Sequence, residues 1–397
     1  MPLRVQFIHD WLTGLRGGEK VLLELVRLFP NSSIATLLHV PAVTHPDLDS
    51  RVNAVSFLQN LPGVKNAKSG GAYRNYLPLF PRAIRSLRLD PHADLYFSVS
   101  HAVAKGIRVP PGKPHICYCN TPMRYIWGME HQYLSPWSPK RLALAAVKPY
   151  LRRFDRRNDQ VTRFIGNSQT VADRIRRFYN LPADVVYPGI DESFYTPPPP
   201  SSPRAGYLVV SALVGYKRID LAIAALRQLP DRPLTIIGAG PEEPKLRALA
   251  AGAPHIRFLG RAPDQTVRDA YRSANAFLFP GEEDFGLTPV EAQACGTPIL
   301  AYRAGGATET VLENHTGLFF DAQSPNALRN AVLQFEASRE KFSPHACRQN
   351  ALRFTWDQFR RAIRDIVTHV LQEPSYAPAA AGPKMHDDPS SSQGDRP

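Results

Sequence analysis

Three consecutive acidic residues, Glu282, Glu283 and Asp284, lie in a loop that Gly281 and Gly286 flank. Adjacent carboxylates repel one another, which makes it costly to keep all three ionised. Holding such a group at a cleft makes sense if a carboxylate accepts hydrogen bonds from the hydroxyl groups of a ligand. We therefore expect the loop to border a hydroxyl-rich ligand, with Glu283 as a direct contact.

A helix is predicted directly after this loop. Thr288 is a suitable N-cap, Pro289 fits the first turn, and Glu291 completes a capping box three residues after the cap. Gly296 then ends the helix. The free N–H groups and the positive dipole end at its N-terminus favour an anion such as a pyrophosphate. Capping alone can explain Glu291, whereas Glu283 has no such structural role.

The positioning of these residues depends on the elements around them. The apolar run NAFLFP (275–280) ends just before the loop, so the loop follows the carboxyl end of a buried strand. Ligands of open α/β sheets bind at that edge. Short apolar runs alternate with amphipathic stretches along the chain, for example at 4–9, 94–100, 115–119 and 163–168, which is typical of βαβ units around a parallel sheet. We therefore predict two Rossmann-like α/β domains.

The segment TPPPPSSPR (196–204) separates two such patterns, because four consecutive prolines fit neither a helix nor a central strand. Near the C-terminus an amphipathic helix must bury one face, and the residues after it are rich in Pro, Ala, Ser, Gly and charge, which predicts disorder. The predicted division is a first domain at 1-195, a linker at 196-205, a second domain at 206-354, the helix at 355-372 and the tail at 373-397.

The net charge of +13 is concentrated in the first half of the chain. Residues 1–200 hold 26 Lys and Arg against 14 Asp and Glu, whereas residues 201–397 hold 22 against 21. The excess is densest in KRLALAAVKPYLRRFDRRND (140–159). A basic face can bind nucleic acid, anionic lipid or a phosphorylated substrate, or it can simply aid solubility.

The four cysteines, Cys117, Cys119, Cys295 and Cys347, fit no zinc spacing, and we expect them to be reduced and buried. The start of the chain lacks the apolar core of a secretory signal, and no run approaches the 18 apolar residues of a spanning helix. The expected location is therefore cytoplasmic, with peripheral binding at the inner face of the cytoplasmic membrane through the basic half.

The segment EDFGLTPVEAQACGTPILA (283–301) closely resembles the donor-site signature of family-four retaining glycosyltransferases, which have the GT-B fold. The resemblance implies two Rossmann-like domains facing a central cleft, with a C-terminal helix returning toward the first domain. It further implies that Glu283 contacts the transferred sugar and Glu291 the nucleotide ribose. The backbone amides that cradle the sugar and phosphate would be those of Phe285, Gly286, Leu287 and Thr288.

Other segments resemble the same family along nearly the whole ordered chain. LRGGEKVL (15–22) resembles the glycine-rich loop after the first strand, and LVGYKRID (213–220) the segment whose Lys neutralises the diphosphate. IIGAGPE (236–242) resembles the turn beneath the nucleotide base, and GNSQTVAD (166–173) an element facing the cleft. The implied site residues in these segments are Gly17, Gly18, Lys217, Gly238, Gly240 and Ser168.

Two positions depart from the family pattern. Ala212 stands where the family usually has an Arg, so we expect Arg218 to supply the missing phosphate cation. In CYCNTPMRYIWG (117–128), Asn120 stands where related sequences tend to have a His that points at the donor sugar. Asn120 can bond a hydroxyl but carries no proton, which excludes general base catalysis there. Arg124 and His101 are further candidates for the cleft, although His101 can equally be structural.

The resemblance implies a hexosyltransferase that uses a nucleotide sugar, and the pattern S-A-L-V-x-Y-K-R-x-D favours mannose from GDP-mannose. The expected acceptor is a lipid-linked or soluble saccharide. We expect no metal, because the D-x-D at Asp47–Asp49 follows no apolar strand. UDP-sugar transfer and sugar-nucleotide 2-epimerisation are the alternatives within the fold. A dinucleotide-dependent oxidoreductase lacks its G-x-G-x-x-G, and no nucleic-acid-binding motif accompanies the basic half.

Overall fold

A computed structural model of the chain describes residues 2–64, 72–128, 139–158, 160–200 and 202–372. It contains two parallel sheets, with strand orders β3-β2-β1-β4-β5-β6-β7 and β10-β9-β8-β11-β12-β13. The strands of the first sheet are Val5–His9 (β1), Ser32–Thr36 (β2), Val52–Val55 (β3), Leu95–Ser100 (β4), His115–Cys119 (β5), Arg163–Gly166 (β6) and Asp184–Val185 (β7). The strands of the second are Tyr207–Val210 (β8), Leu234–Ile237 (β9), Ile256–Gly260 (β10), Ala276–Phe279 (β11), Ile299–Tyr302 (β12) and Gly317–Phe320 (β13).

Helices connect the strands and cover both faces of each sheet. Those in the first part of the chain are Gly17–Leu28 (α1), Pro46–Asp49 (α2), Phe80–Arg85 (α3), Pro139–Asp155 (α4) and Gln169–Tyr179 (α5). Those in the second part are Ile219–Leu226 (α6), Glu243–Ala250 (α7), Asp264–Ser273 (α8), Leu287–Ala294 (α9), Ala307–Thr310 (α10), Pro325–Ala337 (α11), Pro344–Ala351 (α12) and Trp356–Gln372 (α13).

The central strands are buried on both faces, which is why they read as continuous apolar runs in the sequence. Every residue of β1, β4 and β5 is buried. The predicted strands at these positions are confirmed, but β2, β3, β7 and β13 were not predicted. The sequences SSIAT (β2) and VNAV (β3) are short and partly polar, and their strand conformation depends on the pairing of β2 with β1 and of β3 with β2.

The C-terminal helix α13 returns to the first domain, as predicted. Its buried residues Phe359, Ile363, Val367 and Val370 join a hydrophobic core that contains Phe7 of β1. Burying an apolar side chain of this size stabilises the fold by about 2 kcal/mol. These contacts therefore hold α13 against the first domain. Within the described residues, no helix combines the length and the apolar character that crossing a bilayer requires. The tail predicted at 373-397 lies outside the described residues.

The Asp47–Asp49 segment is a correction to the sequence-based expectation of a polar loop. It forms the short helix α2, in which Pro46 occupies the first turn. Asp49 accepts a hydrogen bond from Thr44 at 2.5 Å and lies 2.7 Å from His39 Nε2. These local bonds favour the ionised form and lower the pKa of Asp49, although its partial burial opposes the shift. The carboxylate therefore organises its own surface turn.

Candidate active site

The acidic loop follows β11 at the carboxyl edge of the second sheet, where the sequence predicted it. Glu283 forms an ion pair with Lys217, and the two side chains are only 18% and 14% exposed. Burial disfavours the charged amine, but the Glu283 carboxylate outweighs this effect, so the pKa of Lys217 is raised. The ion pair therefore favours the charged form of Lys217 beside the loop. This pairing also gives Glu283 a partner that the sequence did not suggest.

The other two acids of the loop are held by arginines from the first domain. Arg174 on α5 donates to Glu282 at 2.8 Å and also pairs with Asp284. Arg124, in the turn after β5, pairs with Asp284 as well, and this carboxylate is buried. The repulsion within the acidic triplet is thus relieved by three cations, two of which come from the opposite domain. Arg124 lies in the cleft as predicted, whereas Arg174 was missed.

Because Arg174 joins the first domain to the acidic loop, we expect its replacement to weaken the contact between the two domains. Replacing Arg174 with methionine leaves Glu282 and Asp284 short of a buried counterion, a change that costs about 2 kcal/mol or more. For the nucleotide-sugar donor that the family resemblance implies, we expect the KM to rise at least about tenfold, because the acidic loop and the first domain no longer hold one another. Steady-state kinetics measures the effect. Arg176→Met is the matched control, since Arg176 lies on the same helix and pairs with the exposed Asp173; equal KM changes in both variants would argue against the prediction.

Two glycines of the second domain fix the backbone of the loop. Gly306 N donates to Glu283 O at 2.8 Å. A Cβ on Gly306 would lie 2.2 Å from Phe285 O, and one on Gly305 would lie 2.1 Å from Glu283 O. The backbone therefore approaches the loop more closely than any side chain permits. Neither glycine was predicted to shape the loop, although two adjacent glycines shortly after β12 are a visible signal in the sequence.

We expect Gly306→Ala to displace the acidic loop and to destabilise the fold by about 1–3 kcal/mol, as overpacking typically does. Turnover should fall further than the loss of folded protein explains, because Glu283 moves with the loop. Thermal unfolding and donor turnover on the same samples separate the two effects. Gly14→Ala is the control, since its Cβ would meet no atom closer than 3.9 Å. Unchanged turnover in Gly306→Ala would contradict the prediction.

The helix after the loop begins differently from its predicted start. Gly286 has φ +86° and is the N-cap residue of α9, so Thr288 is the second helical residue and not the cap. The predicted capping box is therefore wrong, because only a glycine readily adopts this left-handed conformation and it starts the helix earlier. Gly296, with φ +76°, ends the helix as predicted. The N-terminal amides of α9 still face the edge of the sheet, free of a side-chain cap.

Glu291, freed from the capping role, lies on the buried side of α9. It accepts a hydrogen bond from Tyr271 at 3.2 Å. Lys20 Nζ, from helix α1 of the first domain, lies 3.7 Å from its carboxylate. Glu291 is thus a polar group that both domains approach, as a residue binding a ribose between them would be.

Gly17 and Gly18, which were predicted in a loop, instead form the first turn of helix α1, whose start is stabilised by the hydrogen bond from Arg16 N to Glu19 at 3.1 Å. A Cβ on Gly17 would lie 3.5 Å from Leu287 Cδ1 of α9. A Cβ on Gly18 would lie 3.3 Å from Asn120 Nδ2 and 3.9 Å from His9 Cε1. A larger residue at position 17 would press against α9 of the second domain, and one at position 18 would press against Asn120 and His9 of the first domain. The structure therefore brings Gly17, Gly18 and Asn120 to one place, as predicted, and adds His9 to them.

His9 and Asn120 present complementary hydrogen-bonding atoms beside Gly18. His9 Nδ1 lies 2.8 Å from the Val99 carbonyl and must donate to it, which leaves Nε2 as an acceptor. Burial lowers the pKa of His9, so the ring is neutral. Among the described residues, neither His9 Nε2 nor Asn120 Nδ2 has a hydrogen-bond partner, and both atoms are buried. His9 was not predicted as a site residue, because it is the last residue of the apolar strand β1.

His101, the other candidate histidine, belongs to a structural arrangement with Asp10. Asp10 accepts four backbone hydrogen bonds, at 2.6 to 2.9 Å, from residues 101–104. His101 Nδ1 lies 3.3 Å from Asp10, and its ring packs edge-on against Trp11 at 4.4 Å. Burial lowers the pKa of His101, which Asp10 opposes only in part. Of the two alternatives left open by the sequence, the contacts favour the structural one.

Ser168 and Glu309 together cap helix α5. Ser168 Oγ accepts from Val171 N at 3.1 Å, which makes Ser168 the N-cap residue. Glu309, from α10 of the second domain, accepts from Gln169 N at 2.7 Å and from Thr170 N at 2.9 Å. A carboxylate at a helix N-terminus interacts favourably with the helix dipole. This cross-domain cap was not predicted, since no local pattern relates Glu309 to α5.

The remaining predicted positions surround the turn after β8. A Cβ on Gly238 would lie 1.8 Å from Ser211 O, and one on Gly240 would lie 2.3 Å from Leu213 O, so both turns require glycine. Arg218 pairs with Asp220 at 3.2 Å on its own helix, and its role as a second phosphate cation stays a prediction. Among the described residues, no group of three or more His, Cys, Asp or Glu is arranged to hold a metal ion.

Comparisons with known proteins agree with this geometry. Residues 15–194 match the family profile described as Glycosyltransferase Family 4, and residues 199–354 match that of Glycosyl transferases group 1. A D-inositol 3-phosphate glycosyltransferase of Mycobacteroides abscessus is 31% identical over 52% of this chain and 53% of its own length. A GDP-mannose-dependent alpha-(1-6)-phosphatidylinositol monomannoside mannosyltransferase of Mycolicibacterium smegmatis is 30% identical over 53% and 60%. The chain thus spans about half the length of the curated relatives it matches.

Solved structures share the whole architecture at low sequence identity. HepE of Anabaena, crystallised with UDP, has a TM-score of 0.67 at 16% identity and covers 92% of this chain and 100% of its own. Sucrose-phosphate synthase of Thermosynechococcus elongatus has a TM-score of 0.67 at 17% identity, with 92% and 99% covered. Two Rossmann-like parallel-sheet domains that face each other across a cleft define the GT-B class of α/β proteins, and this chain shares that architecture. The chain belongs to glycosyltransferase family 4.

Proposed function

We propose that the protein transfers a hexose from a nucleotide sugar to a saccharide acceptor. The observation that carries this proposal is the largely buried Glu283–Lys217 pair in the loop just before helix α9, whose N-terminal amides have no side-chain cap. A carboxylate suits sugar hydroxyls, whereas a lysine and free helix amides suit a diphosphate. Both halves of a nucleotide sugar therefore find matching groups within one strand–loop–helix unit and its neighbours.

The proposed reaction retains the anomeric configuration by front-face displacement. The bond between the anomeric carbon and the diphosphate oxygen breaks, the acceptor oxygen attacks from the same face, and the departing diphosphate takes the acceptor proton. Lys217 and the α9 amides stabilise the negative charge that grows on the leaving group. Removing one such donor typically costs about 3 kcal/mol, on the order of a hundredfold in rate.

His9 and Asn120 fit the sugar end of the proposed complex. One sugar hydroxyl can donate to His9 Nε2 and accept from Asn120 Nδ2, which satisfies two buried atoms that lack partners among the described residues. Because the imidazole is neutral and its other nitrogen donates to Val99, it acts as an acceptor only. The pair therefore selects a hydroxyl at one position of the sugar and does not carry protons in the reaction.

For the donor we propose GDP-mannose, which is supported by the S-A-L-V-x-Y-K-R-x-D pattern and by the name of the Mycolicibacterium relative, a GDP-mannose-dependent mannosyltransferase. UDP-sugars are the alternative donors, since the Anabaena structure holds UDP. The proposed acceptor is a saccharide linked to a polyprenyl diphosphate, because 26 Lys and Arg against 14 Asp and Glu fall in residues 1–200. The names of several relatives make inositol phosphate a further acceptor to test.

A panel of GDP-, UDP- and ADP-sugars tests the proposal, scored first for donor hydrolysis and then for transfer to lipid-diphosphate saccharides and to inositol phosphate. We expect nucleotide release with GDP-mannose, stimulated by an acceptor. Release from UDP-sugars alone would replace the donor assignment but keep the transferase. An epimerised product without any acceptor would identify a 2-epimerase, and no release from any of the sugars would refute the proposed activity.

A further inference from the structure

A depression lined by arginines lies on the first domain, between helix α3 and the second half of α4. It consists of two cavities of about 380 and 550 Å³ that share Arg85, Arg108 and Arg157 in their linings. Arg82 and Arg153 line the larger one. Neither lining contains an Asp or a Glu. The depression therefore concentrates positive charge at one place on the surface, apart from the acidic loop and its partners.

Four of the five arginines have no acidic partner among the described residues. Among the described residues, Arg82, Arg108, Arg153 and Arg157 form no ion pair, and all four are exposed. Asp155, the one acid in the sequence of α4, is turned away from them: it is buried and pairs with Lys105 at 2.9 Å. Cations that converge without counterions repel one another, so an anion that entered the depression would be bound favourably.

An apolar stripe on α4 leads into the depression. Leu142, Ala146 and Tyr150 follow one another at intervals of four residues, and Arg153 lies one turn further along the same helix. Arg157 follows two residues after the helix ends. Leu142 is 76% exposed and Tyr150 is 50% exposed, and Tyr150 also lines the larger cavity. A soluble anion would account for the arginines but would leave this leucine and this tyrosine in water without a function.

We propose that this face binds the surface of an anionic membrane, with a lipid head-group phosphate in the arginine-lined depression and the α4 stripe at the boundary between head groups and acyl chains. Helices that lie in a membrane interface combine an apolar face, flanking cations and an aromatic residue in this way. Arginine suits the phosphate because its guanidinium can donate two parallel hydrogen bonds. The proposal does not depend on the nature of the donor sugar.

Vesicle co-sedimentation of the whole chain tests the proposal. We expect binding to vesicles of phosphatidylglycerol and phosphatidylcholine but not to pure phosphatidylcholine. The double variant Arg153→Ala/Arg157→Ala should bind the anionic vesicles about 30-fold more weakly, because each cation near an anionic leaflet contributes about fivefold. Arg257→Ala/Arg261→Ala, which removes two exposed arginines from the second domain, is the charge-matched control and should bind like the parent protein.

A second set of measurements separates a membrane from other anions. Leu142→Ser should weaken vesicle binding severalfold without changing the binding of inorganic pyrophosphate, measured by calorimetry. Pyrophosphate or oligonucleotide binding that depends on Arg153 and Arg157, without vesicle binding, would overturn the membrane assignment. Equal vesicle binding by the arginine variant and its control would overturn the surface itself. Donor hydrolysis and thermal unfolding should be unchanged in all variants; lost hydrolysis in the parent protein would contradict the proposed activity and not this surface.

Discussion

Glu283→Gln is expected to lower kcat for sugar transfer by about 100- to 1000-fold while leaving nucleotide binding nearly unchanged. Glutamine keeps the shape of the side chain but removes the charge that hydroxyl groups and Lys217 share. The substitution weakens the contact with the sugar. The nucleotide should be little affected, because it is proposed to bind Glu291 and the amides of α9. A large fall in kcat with intact affinity for the free nucleotide diphosphate is therefore the signature of this residue.

The pH profile offers a second readout for the same variant. In the parent protein, burial lowers the pKa of Lys217, but the Glu283 carboxylate outweighs this effect and the net shift is upward. Glu283→Gln removes the raising contribution and leaves the burial. The pKa of Lys217 should therefore fall, and the alkaline limb of the rate profile should move to lower pH. A limb that stayed in place would show that Glu283 does not set the charge of Lys217.

Glu282→Gln is the matched control, because Glu282 is the adjacent acid and its partner is Arg174 instead of Lys217. We expect it to change the donor KM more than kcat, since the Arg174 contact joins the domains. Both proteins should unfold at similar temperatures for the comparison to hold. If Glu283→Gln and Glu282→Gln lowered kcat equally, the sugar-contacting role of Glu283 would have to be abandoned.

What the sequence predicted correctly is local. The strand β11, the loop after it and the helix after the loop follow one another within residues 276–294, and apolar pattern and glycine spacing define all three. Such features depend on short stretches of chain, in which the periodicity of apolar residues indicates a strand or a helix.

What the sequence missed depends on contacts between distant residues. In the sequence, Arg174 and Glu309 have no neighbours that indicate their partners. In the fold, Arg174 pairs with Asp284, and Glu309 accepts hydrogen bonds from the N-terminus of α5, in both cases across the domains. His9 was not predicted as a site residue, because it is the last residue of an apolar strand and its partner Val99 is distant in the sequence. The capping box failed for a local reason, because Gly286 adopts a left-handed conformation that the motif does not encode. The three acids were noticed, but their cations lie far away in the chain.

Lys217→Met is expected to lower kcat/KM for the donor by on the order of 100-fold, or about 3 kcal/mol, because the leaving diphosphate loses its nearest predicted cation. The change also leaves the Glu283 carboxylate, which is only 18% exposed, without its counterion. Breaking one side of a buried ion pair is strongly destabilising. The variant should therefore unfold at a lower temperature as well as turn over slowly.

The double variant Lys217→Met/Glu283→Gln separates these two effects. Removing both charges relieves the unpaired carboxylate, so the double variant should unfold at a higher temperature than Lys217→Met alone, with a coupling energy of about 0.5–3 kcal/mol. Its activity should not recover, since the cation serves the donor and not only the fold. Recovery of both stability and turnover would mean that Lys217 acts solely as the partner of Glu283.

Arg218→Met tests whether a second cation binds the diphosphate, because Arg218 adjoins Lys217 in the chain but pairs with Asp220. If Arg218 supplies the phosphate cation that Ala212 cannot, its loss should raise the donor KM about tenfold with a smaller change in stability, since the Arg218 side chain is 33% exposed. An unchanged KM would leave Lys217 and the α9 amides as the phosphate-binding groups. The diphosphate would then be held by one buried cation whose charge depends on the same carboxylate that is proposed to contact the sugar.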